Sequence, residues 1–301
     1  MPDLKTGLKI FAYFILCAAA FCTESRAADL RTALSAQLER ELRDEVSLLA
    51  DSTCFGREFG TGGASGAAFY IFRQLSEAGL DTFFQPFESG GRRGHNVIGI
   101  TPGKYKSYIV VCAYYDGLGV YKGVRYPGAD SNASGVSAML SLARHFAGRP
   151  GGTGIVFAAF DGHGSDLAGS QHFLKTSACK ISLLINLDTI GSSLSPVLKQ
   201  RQDYLIALGG AAYSETLEWA NRGVGLHLTY DYYGNKGFTD LFYLRASDQK
   251  WFLEKGIPSV MLTSGITAHT NKPTDTPDTL DYPLFVKRLR LLAAWVESLI
   301  Y

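Results

Sequence analysis

No excess of charge of either sign marks this chain. Its 301 residues carry 29 lysines and arginines against 28 acidic residues, a formal net charge of +1 with no long basic or acidic run. A nucleic-acid partner would need a concentrated phosphate-neutralising surface, so that class is set aside. Cysteine is scarce, at five residues, and no Cys-x-x-Cys spacing offers a thiolate zinc site. No Gly-x-Ser-x-Gly elbow is present, which argues against a serine hydrolase of that kind. Internal repeats, low-complexity linkers and composition breaks are missing too, so one domain is the economical reading.

What is present begins at the N-terminus. Lys5 and Lys9 precede an apolar run from Ile10 to Cys22, and Ser25-Arg26-Ala27 supplies small residues of the sort a signal peptidase reads. The expectation is a bacterial-type signal peptide over residues 1–27, cut after Ala27. The run is too short to span a bilayer, and Leu16 and Phe21 before Cys17 and Cys22 are bulky for lipid attachment. The mature chain, 28–301, is expected in the periplasm or outside the cell, without a membrane span. Its cysteines are Cys54, Cys112 and Cys179. Cys112 sits in an apolar run and reads as a small buried hydrophobe; whether Cys54 and Cys179 pair is left open.

Hydrophobic residues at 46% and charged ones at 19% suit a globular core. Leucines at helical spacing from Asp29 to Ala50 predict a first helix, and "CFGREFGTGGASG" reads as a turn leading into a second near Ala67–Ala78. The extended runs "DTFFQPF" and "HNVIGITPG" suggest an antiparallel edge. Apolar strands then alternate with helices: "SYIVVCAYYD", a helix from about Asn132 to Phe146, "TGIVFAAFD", a helix near Leu167–Lys175, "ISLLINLD", "YLIALG", "SETLEWANR", "GLHLTY", "DQKWFLEKG", "IPSVMLT" and a closing helix near Tyr282–Leu299. Strands apolar throughout imply a sheet covered on both faces. The expected fold is a three-layer α/β/α sandwich around a mixed, mostly parallel sheet.

Ligands of open α/β sheets bind beyond the carboxyl ends of the strands. Those ends carry Asp116, Asp161-Gly162-His163-Gly164, Asp188 and, further on, His269. Together with "GREFGTGG", "YYDGLG", "GADSNASG", "FAAFDGHGSDLAGS", "NLDTIG", "SDQKWF", "GIP" and "HTNKPTDTPDTLD", this order resembles the zinc aminopeptidases and glutaminyl cyclases of metallopeptidase family 28. The resemblance covers nearly the whole mature chain. It implies the phosphorylase/hydrolase-like fold of those enzymes and a pair of zinc ions on five side chains, with a glutamate as general base.

Carried over position by position, most of that set is replaced. Tyr114 stands for the first ligand histidine, Ser131 for the bridging aspartate, His163 for the catalytic glutamate and Gly164 for the neighbouring ligand glutamate. Asp188 and His269 survive, and Asp116, which in relatives steers the first histidine, persists without it. A catalytic zinc needs roughly three protein ligands and a water, and a two-metal site needs a bridging carboxylate. One side chain per ion falls short, so no metal and no catalytic residue are expected, and the domain reads as a catalytically inactive, non-catalytic binding or scaffolding protein. The single-zinc glutaminyl cyclase pattern, at Ser131, Gly164 and His269, is likewise incomplete. The alternative is a metal-dependent aminopeptidase or hydrolase with a single zinc rebuilt on His163, Asp188 and His269, helped by Asp130 or Asp161.

Other signals weigh less. "DGHG" after a strand lacks the third glycine of a dinucleotide fingerprint, and the sequon Asn132-Ala133-Ser134 lies inside the family loop. The aromatic stretch "LTYDYYGNKGFTDLFYLR" suggests core and rim packing, or a cleft in which Tyr230, Tyr232 and Tyr233, with Asp116, face a peptide or small-molecule ligand.

Overall fold

The structure, a computed structural model, describes residues 32–149 and 151–301. The signal-peptide expectation for residues 1–27 therefore lies outside the described residues. A compact body runs from Leu42 to Tyr301; the described residues before it, 32–41, are helical and belong to a separate unit. Among the described residues no helix is long and apolar enough to cross a membrane.

Among the described residues ten strands are formed: β1 (Asp81–Ser89), β2 (Arg92–Ile100), β3 (Tyr108–Tyr114), the small hairpin β4 (Val120–Tyr121) and β5 (Val124–Arg125), β6 (Gly154–Phe160), β7 (Ile181–Leu187), β8 (Tyr204–Leu208), β9 (His227–Tyr230) and β10 (Ser259–Thr263). Eight of them make one sheet in the order β1-β2-β6-β3-β7-β10-β8-β9. β3 pairs in parallel with both β6 and β7, and β10 in parallel with β7, whereas β1, β2 and β8 join their inner neighbours antiparallel. The mixed sheet anticipated from the alternation is present, with its antiparallel edge at β1 and β2.

Residues 32–49 are helical (α1), followed by α2 (Gly62–Glu77), α3 (Gly135–Phe146), α4 (Ala168–Thr176), α5 (Ser214–Asn221), α6 (Lys236–Arg245), α7 (Gln249–Glu254) and α8 (Tyr282–Ile300). Alternate residues of a strand point to opposite faces. Accordingly Val110, Cys112, Val156, Ala158, Phe160 and Leu184 gather with Phe173 of α4 and Phe252 of α7 in one buried core, while α3 packs on β3, β6 and β7 and is joined by α2 and α8. Full burial of such side chains contributes about 1.5–3 kcal/mol each. Within the compact body, Glu45 bonds to α3 by accepting from Ser137 Oγ (2.6 Å) and Arg144 Nη1 (2.7 Å).

The elements differ from the sequence reading at three points, the first being α2, which opens at Gly62 rather than near Ala67. α3 opens at Gly135 rather than Asn132, because Ala129–Ser134 form a separate π turn whose polar side chains tie loops together. The aromatic stretch contains a whole helix, α6, capped by Asn235 Oδ1 accepting from Phe238 N at 2.9 Å. Glycine and paired aromatics in "GNKGFTDLFYLR" obscure its period. All three described cysteines are free, and Cys112 is fully buried. The glycine-rich turn packs closely as expected: a Cβ on Gly63 would lie 2.1 Å from the Cys54 carbonyl oxygen.

Buried Arg57 fastens the loops above β3. It donates to the carbonyls of Tyr115 (2.8 Å), Pro127 (2.8 Å), Gly128 (2.9 Å) and Leu49. Removing a charged donor and leaving buried carbonyls unpaired is costly, so Arg57→Met is expected to lower unfolding stability by about 3 kcal/mol, read from the urea midpoint.

Candidate functional site

The parallel run β6-β3-β7 brings three chain exits side by side. β3 ends in Tyr114, with Asp116 just beyond; β6 leads to Asp161 and, through Gly162 in the left-handed region, to His163; β7 leads to Asp188. Asp116 turns back over the next loop, accepting from the backbone N–H of His163 (3.0 Å) and of Gly164 (3.5 Å). Asn132, in the π turn, bridges β3 and β7. It donates to the carbonyls of Leu187 (2.8 Å) and Tyr114 (3.4 Å) and accepts from the N–H of Thr189 (2.9 Å) and Gly135 (3.2 Å). Gly128, at φ 62°, is required there because a Cβ would meet the Ser131 carbonyl oxygen at 2.6 Å.

These exits meet in a cavity of about 240 Å³. Tyr114, Ser131, His163, Asp188 and Asn271 form its polar side; Phe238, Leu241 and Phe242 of α6, with Ile266, form its apolar wall. The Tyr114 hydroxyl shares a hydrogen bond with Ser131 Oγ at 3.2 Å. Its ring stacks on the His163 imidazole, centroids 3.7 Å apart and planes 18° from parallel. His163 Nδ1 meets Asp248 Oδ2 at 3.0 Å, and Asp188 Oδ2 accepts from Ser247 Oγ at 2.6 Å. Tyr114 and Ser131, at two positions where the family resemblance sets metal ligands, thus bond to one another.

The remaining candidates lie elsewhere. His269 does not line the cavity; its Nδ1 pairs with Thr274 Oγ1 at 3.0 Å. Asp130 Oδ1 accepts from Gly191 N (2.8 Å) and Ser134 Oγ (3.0 Å), and Asp161 accepts from the N–H groups of His95 (3.1 Å) and Gly162 (2.9 Å). His163, Asp188, His269 and Asp130 are therefore not assembled into one ligand set. Among the described residues no three or more histidine, cysteine, aspartate or glutamate side chains are grouped as a metal ion would require. Space is not the obstacle at Gly164, where an added Cβ would meet nothing within 4 Å; the ligand atoms are simply missing. A zinc pair does not fit this side-chain set.

The three tyrosines proposed as a cleft wall do not line the cavity. Tyr230 donates to Glu218 Oε1 at 3.0 Å, Tyr232 donates to the Gly234 carbonyl, and the Tyr233 hydroxyl accepts from Ile266 N at 2.8 Å. Their neighbours on α6 supply the wall instead. Sequence reasoning also assigned no role to Asp248. An aspartate just before a helix reads as a cap, yet Asp248 makes no side-chain cap bond to α7 and turns towards His163. Asp275 is a second such case, its carboxylate accepting from Asp130 N (2.7 Å) and Ser131 N (3.0 Å).

Burial governs the protonation of these groups. Burial and the nearby Asp161 carboxylate push Asp116 up to about 7, and burial with Asp275 does the same to Asp130. Asp188 is raised, chiefly by burial. Burial and Asp188 hold the Tyr114 phenol well above its ordinary range, so it remains a neutral donor. For His163 burial acts downwards, but the bond to Asp248 and the charges of Asp248, Asp188 and Asp116 prevail and raise it to about 9.

A mixed α/β/α sandwich with its cavity above the carboxyl ends of the central parallel strands is the class defined by this geometry. Residues 96–296 match the sequence pattern of Peptidase family M28, and the chain belongs to that family. A zinc aminopeptidase from Bacillus subtilis shares the fold with a TM-score of 0.73 at 16% identity, over 87% of this chain and 95% of that one. A glutaminyl cyclase from Porphyromonas gingivalis does so with a TM-score of 0.72 at 15% identity, over 87% and 98%. Among curated proteins, the alkaline phosphatase isozyme conversion protein of Escherichia coli (strain K12) is 29% identical over 161 residues, 45% of this chain and 47% of its own. A probable zinc metalloprotease of Pyrenophora tritici-repentis is 41% identical over 70 residues, 22% of this chain and 16% of its own. The matched region thus spans less than half the length of each of these curated relatives.

Two outcomes follow from the cluster. Tyr114→Phe, which removes the hydroxyl shared with Ser131, is expected to cost about 1 kcal/mol in a urea titration. The stabilisation held by His163 should be complete below its ordinary value of 6.5 and lost as pH rises through about 9, because its folded value is raised. Between those two pH values the urea midpoint of the native protein is expected to fall, and that of His163→Gln to fall less.

Proposed function

We propose that this chain is a non-catalytic binding protein built on the M28 peptidase fold, exported by its N-terminal segment to the periplasm or the cell exterior. Its cavity above β3, β6 and β7 receives a peptide segment or small molecule. The observation that carries this reading is the Tyr114–Ser131 hydrogen bond of 3.2 Å beside the Tyr114–His163 stack of 3.7 Å. Peptide hydrolysis of the family type needs a metal to bring the pKa of an attacking water from about 15.7 towards 7. Two side chains engaged with each other, a glycine at a third ligand position and a histidine bonded to aspartate offer no such ion an inner shell.

The cavity itself favours binding. A volume of about 240 Å³, polar on one side and apolar on the other, suits a ligand that presents a hydrogen-bonding group to Ser131 and Asn271 and an apolar body to Phe238, Leu241 and Phe242. No lysine or arginine lines it; the positive group on its polar side is His163, whose Nδ1 is already bonded to Asp248.

The decisive experiment is metal analysis after dialysis against zinc, paired with an assay on aminoacyl amides. The expected result is no stoichiometric zinc and no hydrolysis. One equivalent of zinc that disappears in Asp188→Asn or His269→Ala, with release of N-terminal amino acids, would establish the rebuilt single-zinc aminopeptidase instead. For binding, a panel of short apolar peptides is expected to include members that raise the melting temperature saturably, and Phe242→Ala should weaken that response at least about tenfold.

A further inference from the structure

The family's ligand set gathers negative charge around metal ions, and this chain keeps part of that charge without the ligands. Asp116, Asp188 and Asp248 are at most 5% exposed; Asp248 meets the His163 ring, Asp116 holds its backbone N–H, and Asp188 lines the same cavity. Buried carboxylates that ionise without a cation would repel one another and forgo hydration, at a cost of several kcal/mol per ion.

The cations nearby are otherwise engaged. Arg57 approaches Asp116 but spends its donors on the carbonyls of Leu49, Tyr115, Pro127 and Gly128. Lys250 reaches Asp166 at the surface, at 3.3 Å. That leaves His163. Its backbone N–H is held by Asp116 at 3.0 Å, its Nδ1 by Asp248 Oδ2 at 3.0 Å, and its ring face by Tyr114 at 3.7 Å. Asp248 shows what the imidazole is for: the residue opens α7, forgoes the cap bond that an aspartate there would make, and keeps Oδ1 without a partner while Oδ2 meets the ring.

We propose that the His163 imidazole is a cation built into the chain, placed among Asp116, Asp188 and Asp248 to hold together the loops that metal ions hold in the catalytic members of the fold. This rests on the reading that the native chain keeps no zinc pair. His163 is thus a positioning residue: it fixes Tyr114, through Tyr114 it fixes Ser131, and so it sets the polar side of the cavity.

The test asks whether the site needs charge or merely volume. His163→Ala is expected to melt about 10 °C below the native protein, as for a broken buried ion pair. Added imidazole, a diffusible cation of the same shape, should restore several degrees saturably, whereas benzene should restore none. In His163→Ala/Asp248→Asn the imidazole response should vanish. His163→Phe fills the stack on Tyr114 but carries no proton for Asp248, and should be as unstable as His163→Ala. Should His163→Ala not fold alone, refolding yield with imidazole against benzene reads the same comparison.

The proposal is overturned if benzene restores as much as imidazole, if neither does, if the double variant still responds, or if His163→Ala or His163→Phe is as stable as the native protein. Zinc bound by the unaltered protein would instead defeat the functional reading, so the two failures are told apart.

Discussion

Buried carboxylates in the loops above the parallel strands are the constraint around which this molecule is arranged. Asp116, Asp130, Asp161, Asp188, Asp248 and Asp275 are all at most 5% exposed. A buried acid must be neutralised, hydrogen-bonded or paired. Here backbone N–H groups serve Asp116, Asp161 and Asp275, the hydroxyl of Ser247 serves Asp188, and the His163 ring serves Asp248. Each of these bonds joins two different chain segments. The loops above the sheet are therefore held by satisfying acids, and the cavity takes its shape from that network.

The same network explains how the fold is kept across divergent sequences. The apolar strands β3, β6 and β7 need only burial and register, which many sequences provide, and a TM-score of 0.73 survives at 16% identity. Activity needs particular atoms at particular points, and it resides in the loops rather than the layers. Tyr114 closes β3 and Ser131 lies in the π turn, so neither disturbs the layers. Their phenol and hydroxyl bond to each other, which leaves no unsatisfied buried group at that point.

On the apolar side, α6 sets what the cavity can accept. Its Phe238 and Phe242 stack on each other and meet Tyr233 in tilted contacts, and Tyr233 anchors the helix against the loop carrying Ile266. Leu241 stays half exposed at the mouth. One wall is thereby apolar and largely aromatic, and the opposite side presents the hydroxyls of Tyr114 and Ser131, the Asn271 amide and His163 around Asp188.

Much of this was legible in the linear chain. Alternating apolar strands and amphipathic helices defined the layers, because burial on two faces demands continuous apolar runs. The order of "YYDGLG", "GADSNASG", "FAAFDGHGSDLAGS" and "NLDTIG" located Tyr114, Ser131, His163 and Asp188, all of which the tertiary structure brings to one cavity. Pairings between distant segments were not legible. Asp248 looks like a helix cap, and only the approach of α7 to the loop after β6 turns it towards His163. His269 looks like a ligand, but its loop directs it to Thr274. The tyrosines near residue 230 look like a cleft wall, but the backbone turns into α6 and presents phenylalanines instead. Side-chain chemistry and periodicity are local properties and can be read along the chain; which acid meets which base depends on segments tens of residues apart, and only the folded sheet decides it.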